Sequence, residues 1–155
     1  MTDRVQELTD RLDIAEVLAR YCDALDQRRW DLLQTVFTAD ASADYGSVGL
    51  PTGVEEIATA IRRTIADLDA TQHLVGNIQV QVQGDTATAQ CYLISQHVRA
   101  GQPGGEEYLL GGRYVDELVR TPDGWRITFR RLHRMWAAGN RDVVRRADQS
   151  AGGAR

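Results

Sequence analysis

Residues 54–83 read VEEIATAIRRTIADLDATQHLVGNIQVQVQ, and the period of their apolar positions changes partway along. Val54, Ile57, Ala58, Ile61, Ile65 and Leu68 recur at steps of three and four, the spacing of one helix face. Glu55 and Glu56 sit in the first turn, where the positive end of the helix dipole favours carboxylates. From residue 72 the period becomes two: His73, Val75 and Asn77 alternate with Leu74, Gly76 and Ile78, and Val80 and Val82 continue the pattern. This stretch therefore predicts a helix over 54–68 that feeds a long strand.

Downstream, turn residues divide the chain into further strands. Gly84-Asp85 leads into Thr86–Val98, the loop AGQPGG into Glu106–Val119, and Pro122-Asp123-Gly124 into Trp125–Trp136. Upstream, Val5, Leu8, Leu12, Ala15, Leu18, Cys22 and Leu25 mark a long first helix, and Trp30, Leu33, Val36 and Phe37 a short second one. Residues 41–50 are small and glycine-containing, and predict a short edge strand. Three helices followed by a four-strand antiparallel meander make an α+β fold with the helices on one face of a curled sheet. Gly111-Gly112 in mid-strand supplies the bend such a sheet needs, and the concave side is where a pocket is expected.

The chain of 155 residues has the length of one domain, here expected over 1–138, with 139–155 as a flexible tail rich in Arg, Gly and Ala. Cys22 and Cys91 lie in apolar patterns without CxxC spacing and are expected as buried thiols. The N-terminus lacks an apolar targeting stretch and no window is apolar enough to span a bilayer, so a cytoplasmic protein without membrane contact is expected. A net charge of −4 with dispersed basic residues argues against nucleic acid as a partner. All 18 basic residues are arginine, which excludes Schiff-base chemistry on lysine.

Two groups carry the candidate chemistry. Asp26 stands at the end of the first helix and His73 at the start of the first long strand. A carboxylate bonded to one ring nitrogen fixes the histidine tautomer and stabilises the imidazolium that forms when the other nitrogen takes a proton. Taken by itself, Asp26 serves equally well as an N-cap for a helix starting near Arg28. His97 and His133 show no HxH or HExxH spacing, and no metal site is expected.

The text Ile14-Ala15-Glu16-Val17-Leu18-Ala19-Arg20-Tyr21, Ala24-Leu25-Asp26, Trp30, Phe37 and Asp40 resembles the SnoaL-like branch of the nuclear transport factor 2-like superfamily. So do Thr71-Gln72-His73, Asn77 and Asp123-Gly124-Trp125-Arg126-Ile127, and the resemblance runs over about residues 5–138. It implies a cone-shaped α+β barrel, and within the branch it points to the group of scytalone dehydratase, bile acid 7α-dehydratase and hexachlorocyclohexane dehydrochlorinase. The Asp-His dyad of that group falls on Asp26 and His73, and a functional tyrosine of the bile acid enzyme falls on Tyr21. Five residues turn an ideal helix through about 140°, so Tyr21 and Asp26 border one pocket only if it straddles the helix end.

The implied function is that of a cofactor-independent lyase of the dehydratase type, acting on a small apolar oxygenated molecule. An isomerase or polyketide cyclase begins with the same proton abstraction, and a non-catalytic ligand-binding or dimerisation module is the alternative of a different class. Along the last strand Trp125, Ile127, Phe129, Arg131, His133 and Met135 alternate onto one face, which suggests Arg131 as a substrate anchor. The dehydrochlorinase's arginine aligns instead with Arg130, and a bulge would exchange the two. Tyr45, Leu93, Leu109 and Met135 are expected to shape the pocket, and the resemblance implies a homodimer through the convex sheet face.

Overall fold

The change of period separates an α-helix from a strand in the folded chain. In the computed structural model, which describes residues 2–145, α1 spans Thr2–Asp26, β1 Phe37–Asp44, α2 Val54–Ile65, β2 Ala70–Gln83, β3 Thr86–Val98, β4 Glu107–Thr121 and β5 Gly124–Gly139. Trp30–Thr35 is a 3₁₀ helix rather than an α-helix, and Phe37 opens β1 instead of ending that helix. The edge strand thus begins four residues earlier than its small residues suggest, because Phe37 already pairs with Ile127 of β5 and regular pairing resumes at Ser42 after a shift of register.

The sheet order is β1-β5-β4-β3-β2, antiparallel except for the parallel β1–β5 pair. Three helices pack on this curled sheet, which stays open rather than closing into a barrel: β1 and β2 are its two edges. The core lies between the helices and the concave face, with Ile14, Leu18, Leu33, Phe37, Ile57 and Ile127 almost fully buried.

Irregularities in β4 and β5 set the curvature and decide which side chains face inward. Glu117 pairs with Phe129 but Leu118 with Ile127, so Thr128 is an extra residue in the ladder. The bulge reverses the parity of β5: Trp125 and Ile127 are buried before it, and Arg130 after it. The inward direction expected for Arg131 is therefore corrected. Gly111 pairs with Trp136 and Gly112 with Arg134, which leaves Met135 extra in a second bulge. A Cβ on Gly112 would press on the His133 carbonyl, so glycine is what lets the strands approach here.

Two further expectations change. Val5, Leu8 and Leu12 are exposed at 64, 56 and 68%, because the sheet-facing position in that part of α1 is Asp10. Its carboxylate takes two hydrogen bonds from Arg120 and one from the Trp125 indole. The expected tail is also ordered at its start. β5 runs to Gly139, a 3₁₀ turn follows at Arg141–Val143, and Val143 is fully buried. Residues 146–155 of the expected tail lie outside the described residues.

Candidate functional site

α1 stops at Asp26 because the chain turns left-handed at Arg28, where φ is 59°. The Arg29 amide then donates back to the Ala24 carbonyl at 2.9 Å, closing the helix. Glycine is the usual residue in this conformation. Here the arginine is held by its own guanidinium, which donates to the Leu25 carbonyl at 2.7 Å, the Leu68 carbonyl at 3.3 Å and Thr71 Oγ1 at 2.8 Å.

The turn delivers the Asp26 carboxylate to the start of β2. Asp26 Oδ2 accepts the His73 backbone amide at 2.7 Å, and Oδ1 accepts the Thr71 hydroxyl at 3.0 Å. His73 Nδ1 lies 2.7 Å from Oδ1, and the His73 side chain is only 5% exposed. An ionised carboxylate only accepts, so Nδ1 carries the hydrogen of this contact. Burial pushes the Asp26 carboxyl up, but the hydrogen bonds from the His73 ring and backbone outweigh it and hold the group below its ordinary value. Asp26 does not cap the following 3₁₀ helix, whose cap position is Arg29.

His73 opens into a cavity of about 340 Å³ between the concave face, α2 and the segment after β5. Leu25, Ile61, Ile65, Leu93, Leu110 and Leu132 give it apolar walls. Tyr21 lines it directly, whereas Asp26 meets it only through His73, so the angular separation on the helix is resolved by the histidine. The Tyr21 and Tyr45 hydroxyls lie 3.1 Å apart, and both side chains are buried.

Arg130 lies behind these tyrosines and is 1% exposed. Its Nε and Nη2 each donate to Asp116 at 2.7 Å, and its guanidinium carbon sits 4.2 Å from the Tyr21 ring centre and 4.1 Å from that of Tyr114. Burial raises the Tyr21 phenol above its ordinary value, while the arginine charge pulls the other way. Arg131 instead points to solvent and pairs with Asp44 at 3.1 Å. Neither arginine lines the cavity, and nor do Leu109 and Met135; Tyr45 and Leu93 do.

His97 and Ser95, for which the sequence suggested no role in the site, both line the cavity. Ser95 pairs across the ladder with His73, and the His97 ring meets the His73 ring edge-on with centres 5.7 Å apart. His97 Nδ1 donates to the Tyr108 carbonyl at 3.2 Å, and burial pushes its pKa down to about 4. It is a neutral neighbour that does not oppose charge on His73. The usable signal was strand parity: Leu93, Ser95 and His97 share one face of β3. Among the described residues no cluster of His, Cys, Asp or Glu could hold a metal ion, and no helix is long and apolar enough to cross a membrane.

An open, helix-backed cone with a histidine-lined apolar cavity defines a class of small pocket proteins. The family model for the SnoaL-like domain matches residues 6–131, and the chain belongs to that family. Uncharacterized protein Rv2910c of Mycobacterium tuberculosis is 40% identical over 125 residues, covering 79% of this chain and 84% of the relative. Kfla4162 of Kribbella flavida has the same fold, with a TM-score of 0.83 and 30% identity, over 90% of this chain and 99% of that one. A hexachlorocyclohexane dehydrochlorinase, LinA type 2, shares the fold with a TM-score of 0.76 at 16% identity, over 88% of this chain and 93% of its own.

Proposed function

We propose that this chain is a cofactor-independent lyase of the dehydratase type for a small, largely apolar oxygenated substrate, with His73 as the base. The observation that carries the proposal is the 2.7 Å contact between Asp26 Oδ1 and His73 Nδ1, with the other carboxylate oxygen anchored on the His73 amide. Both anchors fix the ring so that Nε2 presents its lone pair to the cavity.

In the proposed reaction, Nε2 removes a proton from the carbon next to a carbonyl. The C–H electrons form a carbon–carbon double bond as the bond from the β-carbon to its hydroxyl breaks. The imidazolium passes the proton to the departing hydroxyl, water leaves and His73 returns to its starting state. Asp26 stabilises the transient imidazolium, and the Tyr21–Tyr45 hydroxyl pair donates to the carbonyl oxygen as charge develops there. Arg130, stacked behind Tyr21, strengthens that phenol as a donor. Reprotonation on carbon instead of loss of water would make the same site an isomerase. We further propose a homodimer through the convex face, where Leu74, Ile94, Gly111 and Trp136 form one register row and the three side chains are 66, 45 and 46% exposed.

The test combines ring nitrogen NMR with turnover of β-hydroxy ketones of polyketide and steroid type. Native His73 is expected in a single Nδ1–H tautomer, and Asp26→Asn is expected to release that tautomer and lower kcat about a hundred- to ten-thousandfold. A ring that exchanges freely between tautomers and ignores the substitution overturns the assignment in favour of a binding module.

A further inference from the structure

The cavity has a charge pattern that a neutral ketone would not use. Its lining includes two arginines, Arg134 and Arg141, and no aspartate or glutamate, in a chain whose net charge is −4. Arg134 is exposed and Arg141 half-buried, so both belong to the solvent side of the cavity, while its histidines and tyrosines lie deeper.

Neither arginine has a carboxylate partner among the described residues. Arg134 makes no side-chain hydrogen bond there, and Arg141 Nη2 donates only to the Ser47 hydroxyl at 3.0 Å. The neighbouring acids are engaged elsewhere. Asp44 takes Arg131 and the Gly46 amide, and Asp142 takes Arg145.

The two positions are fixed by the fold. Arg134 faces inward because the bulge at Thr128 reverses the parity of β5, which sets it opposite Gly112. Arg141 follows Asn140, whose side chain accepts the Asp142 amide and donates to the Pro103 and Gly105 carbonyls at 3.0 and 2.9 Å. Arg99 Nε adds a hydrogen bond to the Val143 carbonyl at 3.0 Å. The backbone thus sets two guanidinium-bearing side chains on the solvent side of the cavity, whose walls are largely apolar.

Resting on the proposed lyase reading of the same cavity, we propose that Arg134 and Arg141 form an anion subsite. The substrate would carry an anionic oxygen group, a carboxylate or the phosphates of a coenzyme A type thioester, which stays at the mouth while its apolar part enters toward His73. Guanidinium forks match both groups through paired hydrogen bonds, whereas a neutral ester offers only acceptors without charge.

The test is calorimetric titration of the native chain with 2-naphthoate, its methyl ester and its coenzyme A thioester at low and high salt. At least one anionic ligand is expected to bind about tenfold tighter than the ester at low salt, with the advantage shrinking in high salt. Arg134→Gln with Arg141→Gln is expected to erase the difference between the anionic ligand and the ester. A preference for the free acid identifies a carboxylate substrate, and a preference confined to the thioester identifies a carrier phosphate. Equal affinities for all three, or a preference that survives loss of both arginines, overturns the proposal. Should none of the three bind, pyrophosphate added to arginine-labelled protein decides: no shift of the Arg134 and Arg141 Nε–H signals overturns it too. The titrations are repeated in His73→Asn, where persistent charge discrimination without turnover would separate failure of the lyase reading from failure of the subsite.

Discussion

His97 shows how a single buried side chain couples this cavity to pH. Burial pushes its pKa down to about 4 from 6.5, so the unfolded chain binds a proton that the folded chain refuses across that interval. Stability from this group is full above about pH 6.5 and is lost as pH falls toward 4, by roughly 3 kcal/mol in total. Urea unfolding at pH 7 and pH 5 is expected to show a clear acid loss in the native chain and a flatter profile in His97→Gln. A native profile as flat as the variant's would remove the assignment. At this scale the sequence was legible where two residues were bound by local context. Asp26 could be placed at a helix end and His73 at a strand start, and the family resemblance paired them, but Arg28, which fixes that helix end in a conformation normally left to glycine, gives no local sign of its left-handed φ.

The elements repeat that division between local signal and long-range consequence. Alternation in residues 72–82 and the turn at Gly84-Asp85 announced β2 and β3, since burying one face of a strand requires a period of two. The parity of β5 could not be read, because the extra residue at Thr128 is defined only against its partner strand β4. That one bulge moved Arg130 into the core and Arg131 to solvent. Gly139 is the corresponding hinge at the end of β5: its φ is 85°, and a Cβ there would run into the Glu107 carbonyl. Gly139→Ala is expected to cost about 1–3 kcal/mol and to loosen the segment bearing Arg141. Thermal unfolding together with hydrogen exchange at residues 141–144 checks this, and an unchanged melting temperature with full protection would contradict it.

At the scale of the molecule, the α+β layer order was legible from the sequence of periods, and the openness of the sheet was not, since closure depends on how far β1 and β2 end up apart. The apolar stripe Val5-Leu8-Leu12 misled for a related reason: helical spacing shows that residues share a face, but which face meets the sheet was decided by the Asp10–Arg120–Trp125 contacts. On the convex side, the row Leu74, Ile94 and Trp136 leads to the expectation that Ile94→Glu converts a dimer to a monomer in light scattering without changing the far-ultraviolet circular dichroism. A native chain already monomeric at micromolar concentration would refute the proposed dimer. The segment after β5 has a practical consequence for handling the protein. Because Arg141 and Val144 form part of the cavity wall while the sheet is complete by Gly139, a chain cut after residue 139 should keep its strands yet present an open trough where the native chain has a chamber. A normal circular dichroism spectrum from a preparation truncated there would therefore be no assurance that its ligand site is intact.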